Sequence, residues 1–194
     1  VLVDHGANLE EEDQEGNTPL LLATKECHSN TVSILIKSGA SLKHRNNDNH
    51  TSLHVAAKLG FNEVCAALID HGAPLKALNK QGSNPLIIAT ERCNVDLVVQ
   101  LLQSGASLKH RNKDGHTPLH VAAKLGLTEV CVALVDRGAD LEEVDQEGNT
   151  PLLLATKECH SNTISSLLER GAQRDVCDKQ GLTPLHAGHK IVVL

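Results

Sequence analysis

Twelve histidines and six cysteines are the residues of this 194-residue chain best suited to chemistry. Two histidine pairs share one spacing, His50-x3-His54 and His116-x3-His120. Such a pair on one helical face could hold a divalent metal. Here the first histidine of each pair directly precedes Thr51 or Thr117, residues suited to cap a helix, so the two do not share a face. No metal site is expected. His-Glu-x-x-His, Gly-x-Ser-x-Gly and the phosphate-binding Gly-x4-Gly-Lys-Ser/Thr do not occur. The carboxylates fall in polar stretches where they are ordinarily solvated, so no catalytic or cofactor-binding residue is assigned. Asn49-His50-Thr51 matches a glycosylation triplet. Asn49, however, occupies the turn position that Gly16, Gly82 and Gly115 fill elsewhere, and Asn is the next best residue for positive φ.

The elements that carry these residues repeat. Thr18, Thr51, Asn84, Thr117, Thr150 and Thr183 lie 33 residues apart, and so do Gly6, Gly39, Gly72, Gly105, Gly138 and Gly171, each followed by Ala. Each unit reads as two short helices. Thr-Pro or Asn-Pro opens the first, with a capping side chain and a residue that has no N–H to lose. Ala56-Ala57 and Ala122-Ala123 allow close packing, and Gly60 and Gly126 supply left-handed C-caps. The second helix carries apolar residues at helical spacing, such as Val98, Leu101 and Leu102, and ends at the Gly-Ala pair. A polar stretch with turn residues such as Asp114-Gly115 leads to the next unit.

The run His116-Thr117-Pro118-Leu119-His120-Val121-Ala122-Ala123, with Gly126, Leu134 and Gly138-Ala139-Asp140, closely resembles the ankyrin repeat. The resemblance extends over essentially the whole chain. It implies an all-α architecture, an ankyrin-repeat α-solenoid of stacked helix-turn-helix units with β-hairpin fingers and no sheet core. On this frame residues 1–194 form a single array. It has a partial repeat 1–12, full repeats 13–45, 46–78, 79–111, 112–144 and 145–177, and a partial repeat 178–194. In this family the histidine of Thr-Pro-Leu-His hydrogen-bonds to neighbouring loops. Leu21, Ile87 and Leu153 replace it in alternate repeats, which must exchange that bond for apolar contact.

The repeats alternate in type. Residues 13–31 and 145–163 are identical, 132 residues apart, whereas the repeat from Asn46 resembles the one from Asn112, 66 residues later. Duplication of a two-repeat unit explains this. Cys65 and Cys131 stand where other repeats place Val32, Val98 and Ile164, and read as core. Cys27, Cys93 and Cys159 replace the Gly that ends the first helix, at some backbone strain. Equivalent positions two repeats apart lie roughly 20 Å apart, beyond the ~7 Å of a disulfide. The thiols therefore read as reduced, in an intracellular protein of cytoplasm or nucleus. Cys177, on a finger, is the most exposed by this reading.

Composition removes several function classes. The formal charge is −6 and Phe61 is the sole aromatic. A net basic face and stacking platforms for nucleic acid are therefore missing. No apolar run reaches the roughly 18 residues of a membrane span. What remains is a non-enzymatic protein–protein interaction scaffold, alone or as a regulatory part of something larger. The family resemblance implies binding through the concave face and finger tips. The fingers alternate in charge, with acidic Glu10-Glu11-Glu12 and Glu142-Glu143 flanking a basic centre. The candidate partner-binding residues are Lys43, His44, Arg45, His50, Lys58, Leu59 and Lys76, followed by Arg92, Lys109, His110, Arg111, His116, Lys124 and Leu125. An acidic, partly apolar segment of another protein would suit them. The competing reading is pairing between neighbouring fingers, such as Arg111 with Glu142, worth under about 1 kcal/mol per exposed pair.

The two ends are apolar where terminal repeats need a polar outer face, as in Val1-Leu2-Val3 and Ile191-Val192-Val193-Leu194. The chain reads as an excerpt of a longer array, a monomer whose ends fray or else stack end to end. Hydrogen exchange should be fast at both ends. Uniform protection up to Val1 and Leu194 in a monomer would refute this reading.

Overall fold

In the computed structural model, which describes residues 7–187, ten short helices follow in pairs. The first helices of the pairs are α1 (Pro19–Lys25), α3 (Ser52–Leu59), α5 (Pro85–Glu91), α7 (Pro118–Lys124) and α9 (Pro151–Lys157). The second helices are α2 (Ser29–Lys37), α4 (Asn62–Asp70), α6 (Val95–Gln103), α8 (Thr128–Val135) and α10 (Ser161–Glu169). A further helical turn begins at residue 184. The segments 1–6 and 188–194, on which the expectation about the ends depends, lie outside the described residues.

The helix starts follow from local chemistry. Thr18 Oγ1 accepts from Leu21 N–H at 3.4 Å and Asn84 Oδ1 from Ile87 N–H at 2.9 Å, each satisfying an orphan donor of the first turn. The stops come in two forms. α3 ends on Gly60 in the left-handed region, and Gly126 follows α7 in the same region. After α1, α5 and α9 that conformation falls on Cys27, Cys93 and Cys159, with φ of 56°, 55° and 63°. A side chain there costs on the order of 1–2 kcal/mol. Gly126 is further constrained because a Cβ would lie 2.5 Å from the His160 ring, whose Nε2 donates to Lys124 O at 3.0 Å.

The core is one ladder. Leu20, Leu53, Leu86, Leu119 and Leu152, one per repeat, are all at most 1% exposed. Each first helix packs on its own second helix and on the first helices of its neighbours. Cys65 and Cys131 are buried members of this core, and burial pushes both thiols up to about 12. Leu21, Ile87 and Leu153, which replace the family histidine, are fully buried.

The fingers differ from the β-hairpins expected, for no strand occurs among the described residues. Each finger closes on only two main-chain bonds, as in Asn46 N–H to His50 O at 3.0 Å and Asn49 N–H to Asn46 O at 2.7 Å. An Asx residue every 33 positions does the rest: Asn46 Oδ1 accepts from the N–H groups of Asp48 and His50. Asp13, Asn79, Asn112, Asp145 and Asp178 make the same pair of bonds. A turn satisfied by its own side chain leaves too few free groups for a ladder. Asn49 has φ of 64°, as a turn position demands.

Leu119→Ala should cost about 2–5 kcal/mol through the cavity it leaves in the ladder. A denaturant midpoint that barely moves would contradict the core described here.

Candidate functional site

The basic triplets on the second and fourth fingers are largely engaged within the array. His44 Nε2 donates to Gly16 O at 3.0 Å and His110 Nε2 to Gly82 O at 2.8 Å. Arg45 Nη1 donates to Leu78 O at 2.8 Å. Arg111 Nη1 donates to Gly115 O and Val144 O, and its Nη2 pairs with Glu143 rather than with Glu142. These side chains tie one finger to another. Lys43 and Lys109 are exposed, with no ion pair among the described residues.

The concave side is built around two stacked histidine pairs. The rings of His50 and His54 lie 5.8 Å apart and those of His116 and His120 6.0 Å apart. Thr51 N–H and Thr117 N–H donate to Nδ1 of His54 and His120 at 3.2 and 3.3 Å, so Nε2 carries the proton. That proton goes to Ser83 O and Asn149 O of the next repeat, at 3.3 and 3.1 Å. A second proton would face a donor in a buried site. Burial, with a smaller contribution from the neighbouring histidine, brings both His54 and His120 down to about 4. His50 is also lowered, by burial first and the Lys58 charge second, against Asp48. His116 is buried, 3.4 Å from Asp145 Oδ2. Two histidines named as partner-binding candidates thus belong to stacks, one of them enclosed.

Between the second and third fingers and the helices behind them lies a cleft of about 270 Å³. It is lined by Asp48, His50, Lys58, Glu91 and Arg92 with Ile88 at its floor, a mixed rather than uniformly basic surface. Burial raises the Glu91 carboxyl, opposed by Arg92. Leu59 and Leu125 project beside Lys58 and Lys124, 45% and 49% exposed. Lys76 and Arg45 line a separate opening whose only residue in common with this cleft is Asn79. The fourteen candidates therefore divide between two flanks of the third finger and a set of internal ties.

Lys157 departs most from its sequence reading as an open concave position. Its Nζ donates to Asp178 Oδ2 at 2.8 Å and Asn149 Oδ1 at 2.6 Å, binding the fifth finger to the sixth. The 33-residue Asx ladder was the signal that could have found it. Burial acts to raise the Asp178 carboxyl, but Lys157 and the N–H groups of Leu182 and Gln180 outweigh it and hold it low. Asp145 is likewise held low by Asn149 and Glu147 against its burial. Among the described residues no three His, Cys, Asp or Glu side chains converge on a metal-sized site. All six cysteines are free, Cys177 exposed among them.

Against known families, residues 1–79 and 53–145 match "Ankyrin repeats (3 copies)" and residues 147–179 match "Ankyrin repeat". The chain belongs to the ankyrin repeat family. Members of that class are generally protein–protein interaction modules and typically not enzymes. No curated protein matches the sequence.

The buried histidines set a pH dependence. Their folded values lie below the unfolded 6.5, so the unfolded chain binds more protons between pH 6.5 and about 4, and stability falls as pH falls through that window. The loss is on the order of 3 kcal/mol for each histidine. Asp145 and Asp178, whose folded values are depressed, add a further loss below their ordinary range. Urea midpoints at pH 7 and pH 5 should differ clearly for the native chain. They should differ less when His54 and His120 are replaced by Leu, the residue at Leu21 and Leu153. Equal pH dependence in both proteins would remove the histidines from this role.

Proposed function

We propose that the array is a non-enzymatic scaffold that binds an acidic, partly apolar segment of another protein along its concave face and finger tips. The observation that carries this reading is the exposure of Lys58-Leu59 and Lys124-Leu125 on the last turns of α3 and α7. Cation and apolar side chain stand together there, two repeats apart, beside the cleft that Arg92 also lines. Burying Leu59 or Leu125 against a partner would gain on the order of 1 kcal/mol or more, and the lysines would select acidic over basic segments. His44, His110, Arg111 and His116 contribute indirectly, by holding the fingers in register. On this reading repeats 13–45 through 145–177 act as one binding unit in a reducing compartment of the cell, with Cys65 and Cys131 kept as buried thiols.

The test is affinity capture from cell lysate with the native chain beside a Lys58→Glu/Lys124→Glu variant of equal thermal stability. Partners held by the native chain and lost by the variant are the expected result. An unchanged partner set would move the contact away from the concave helices.

A further inference from the structure

The two-repeat pattern sets three equivalent joints along the fingers, and two of them serve as internal references for the third. At the first, Glu10 Oε1 accepts from Ser41 N–H at 2.8 Å. At the third, Glu142 Oε1 accepts from Gln173 N–H at 2.9 Å, while the adjoining Glu143 pairs with Arg111 Nη2. At the central joint the Glu-Glu pair is replaced by Lys76-Ala77. Ser107 N–H, the counterpart of Ser41 N–H, has no acceptor among the described residues. Arg45, the counterpart of Arg111, keeps its carbonyl bond to Leu78 O but has no carboxylate partner among the described residues.

The same joint opens into a cavity of about 810 Å³ that Arg45, Lys76, Lys80 and Lys113 line without a carboxylate among them. Its counterpart one unit on combines Arg111 and Lys179 with Glu142 and Asp145. Stability does not ask for four like charges around one opening, since they repel one another. Lys80 is the only one of the four in an ion pair among the described residues, at 3.5 Å from the exposed Asp48.

We propose that this joint is a docking site for the glutamate or aspartate carboxylates of an acidic polypeptide segment. The two flanking joints show the chemistry it takes, a carboxylate received by a main-chain N–H and an arginine, and at the central joint that group comes from the partner. A polypeptide fits better than a nucleic acid. Glu10 and Glu142 confine the positive field to one joint, too short to follow a phosphate backbone, and the sole aromatic, Phe61, is packed against the core. The proposal rests on the interaction-module reading but not on the concave groove, because the two openings share only Asn79.

The probe is a fluorescent glutamate-rich synthetic peptide, its binding to the whole chain read by anisotropy at low salt. Lys76→Glu restores the residue of the flanking joints, so it should keep or raise the unfolding midpoint while weakening binding about tenfold, an effect that shrinks as salt rises. Lys76→Gln, which removes charge without adding any, should weaken binding less. Lys58→Glu, on the concave side, should leave it unchanged. Undiminished binding to Lys76→Glu, or no binding by the native chain, overturns the proposal. Loss with Lys58→Glu alone transfers the peptide to the concave groove. Tighter binding of a single-stranded DNA oligomer than of the peptide rules out the assignment to polypeptide.

Discussion

No repeat of this array can bury its own apolar face. Leu53 or Leu119 reaches zero or near-zero exposure only because a neighbouring first helix covers it. Every other feature follows from that one-dimensional dependence. Short helices of seven to nine residues would be marginal alone, and they persist because side chains from adjacent repeats interlock along the leucine ladder. With one aromatic in the chain, the seam is built from Leu, Ile, Val, Ala and two thiols. Small residues such as Ala56, Ala57, Ala122 and Ala123, all fully buried, bring the helices close enough to compensate.

Alternation of repeat type solves the neighbour problem in two ways. In the repeats with Thr-x-x-His the imidazole closes the helix start and donates across to the next finger, a polar link sealed from water. In the others an aliphatic side chain fills the same place, and Thr24 and Thr156 turn their hydroxyls back onto Leu20 O and Leu152 O at 2.8 Å. The arginine ties vary with the fingers in the same way, with Arg111 reaching Glu143 where Arg45 meets Ala77. A duplicated unit held by such links can change charge at one joint without losing its stack, because each link is local to two fingers.

Cations on the fingers therefore have two roles. Arg111 and the half-buried His44 and His110 are committed to carbonyl and carboxylate groups of adjacent fingers, where their loss would loosen the stack. Lys43, Lys58, Lys76, Lys109 and Lys124 are exposed, so their charge is available to a partner. The third finger separates them into a concave set and an opposite set. A ligand following one flank does not engage the other, so the net basic character of the centre is two local fields.

The sequence by itself determined the spacing of the repeats, the paired helices, the leucine ladder and the left-handed positions at Cys27, Cys93, Cys159 and Asn49. Each of these depends on residues within one repeat or on strict periodicity, so local propensity and pattern are sufficient. The finger interior was less legible: turn residues signalled the turn, but the Asx oxygen that replaces a hairpin ladder is a matter of geometry. Only the tertiary structure decided which charged residues are free. Whether Arg111 reaches Glu143 or Glu142, whether Lys157 faces a partner or Asp178, and on which flank Lys76 opens depend on side-chain reach across a gap between repeats. Sequence spacing places two residues on facing fingers, but the direction each side chain takes is set by the packing of both.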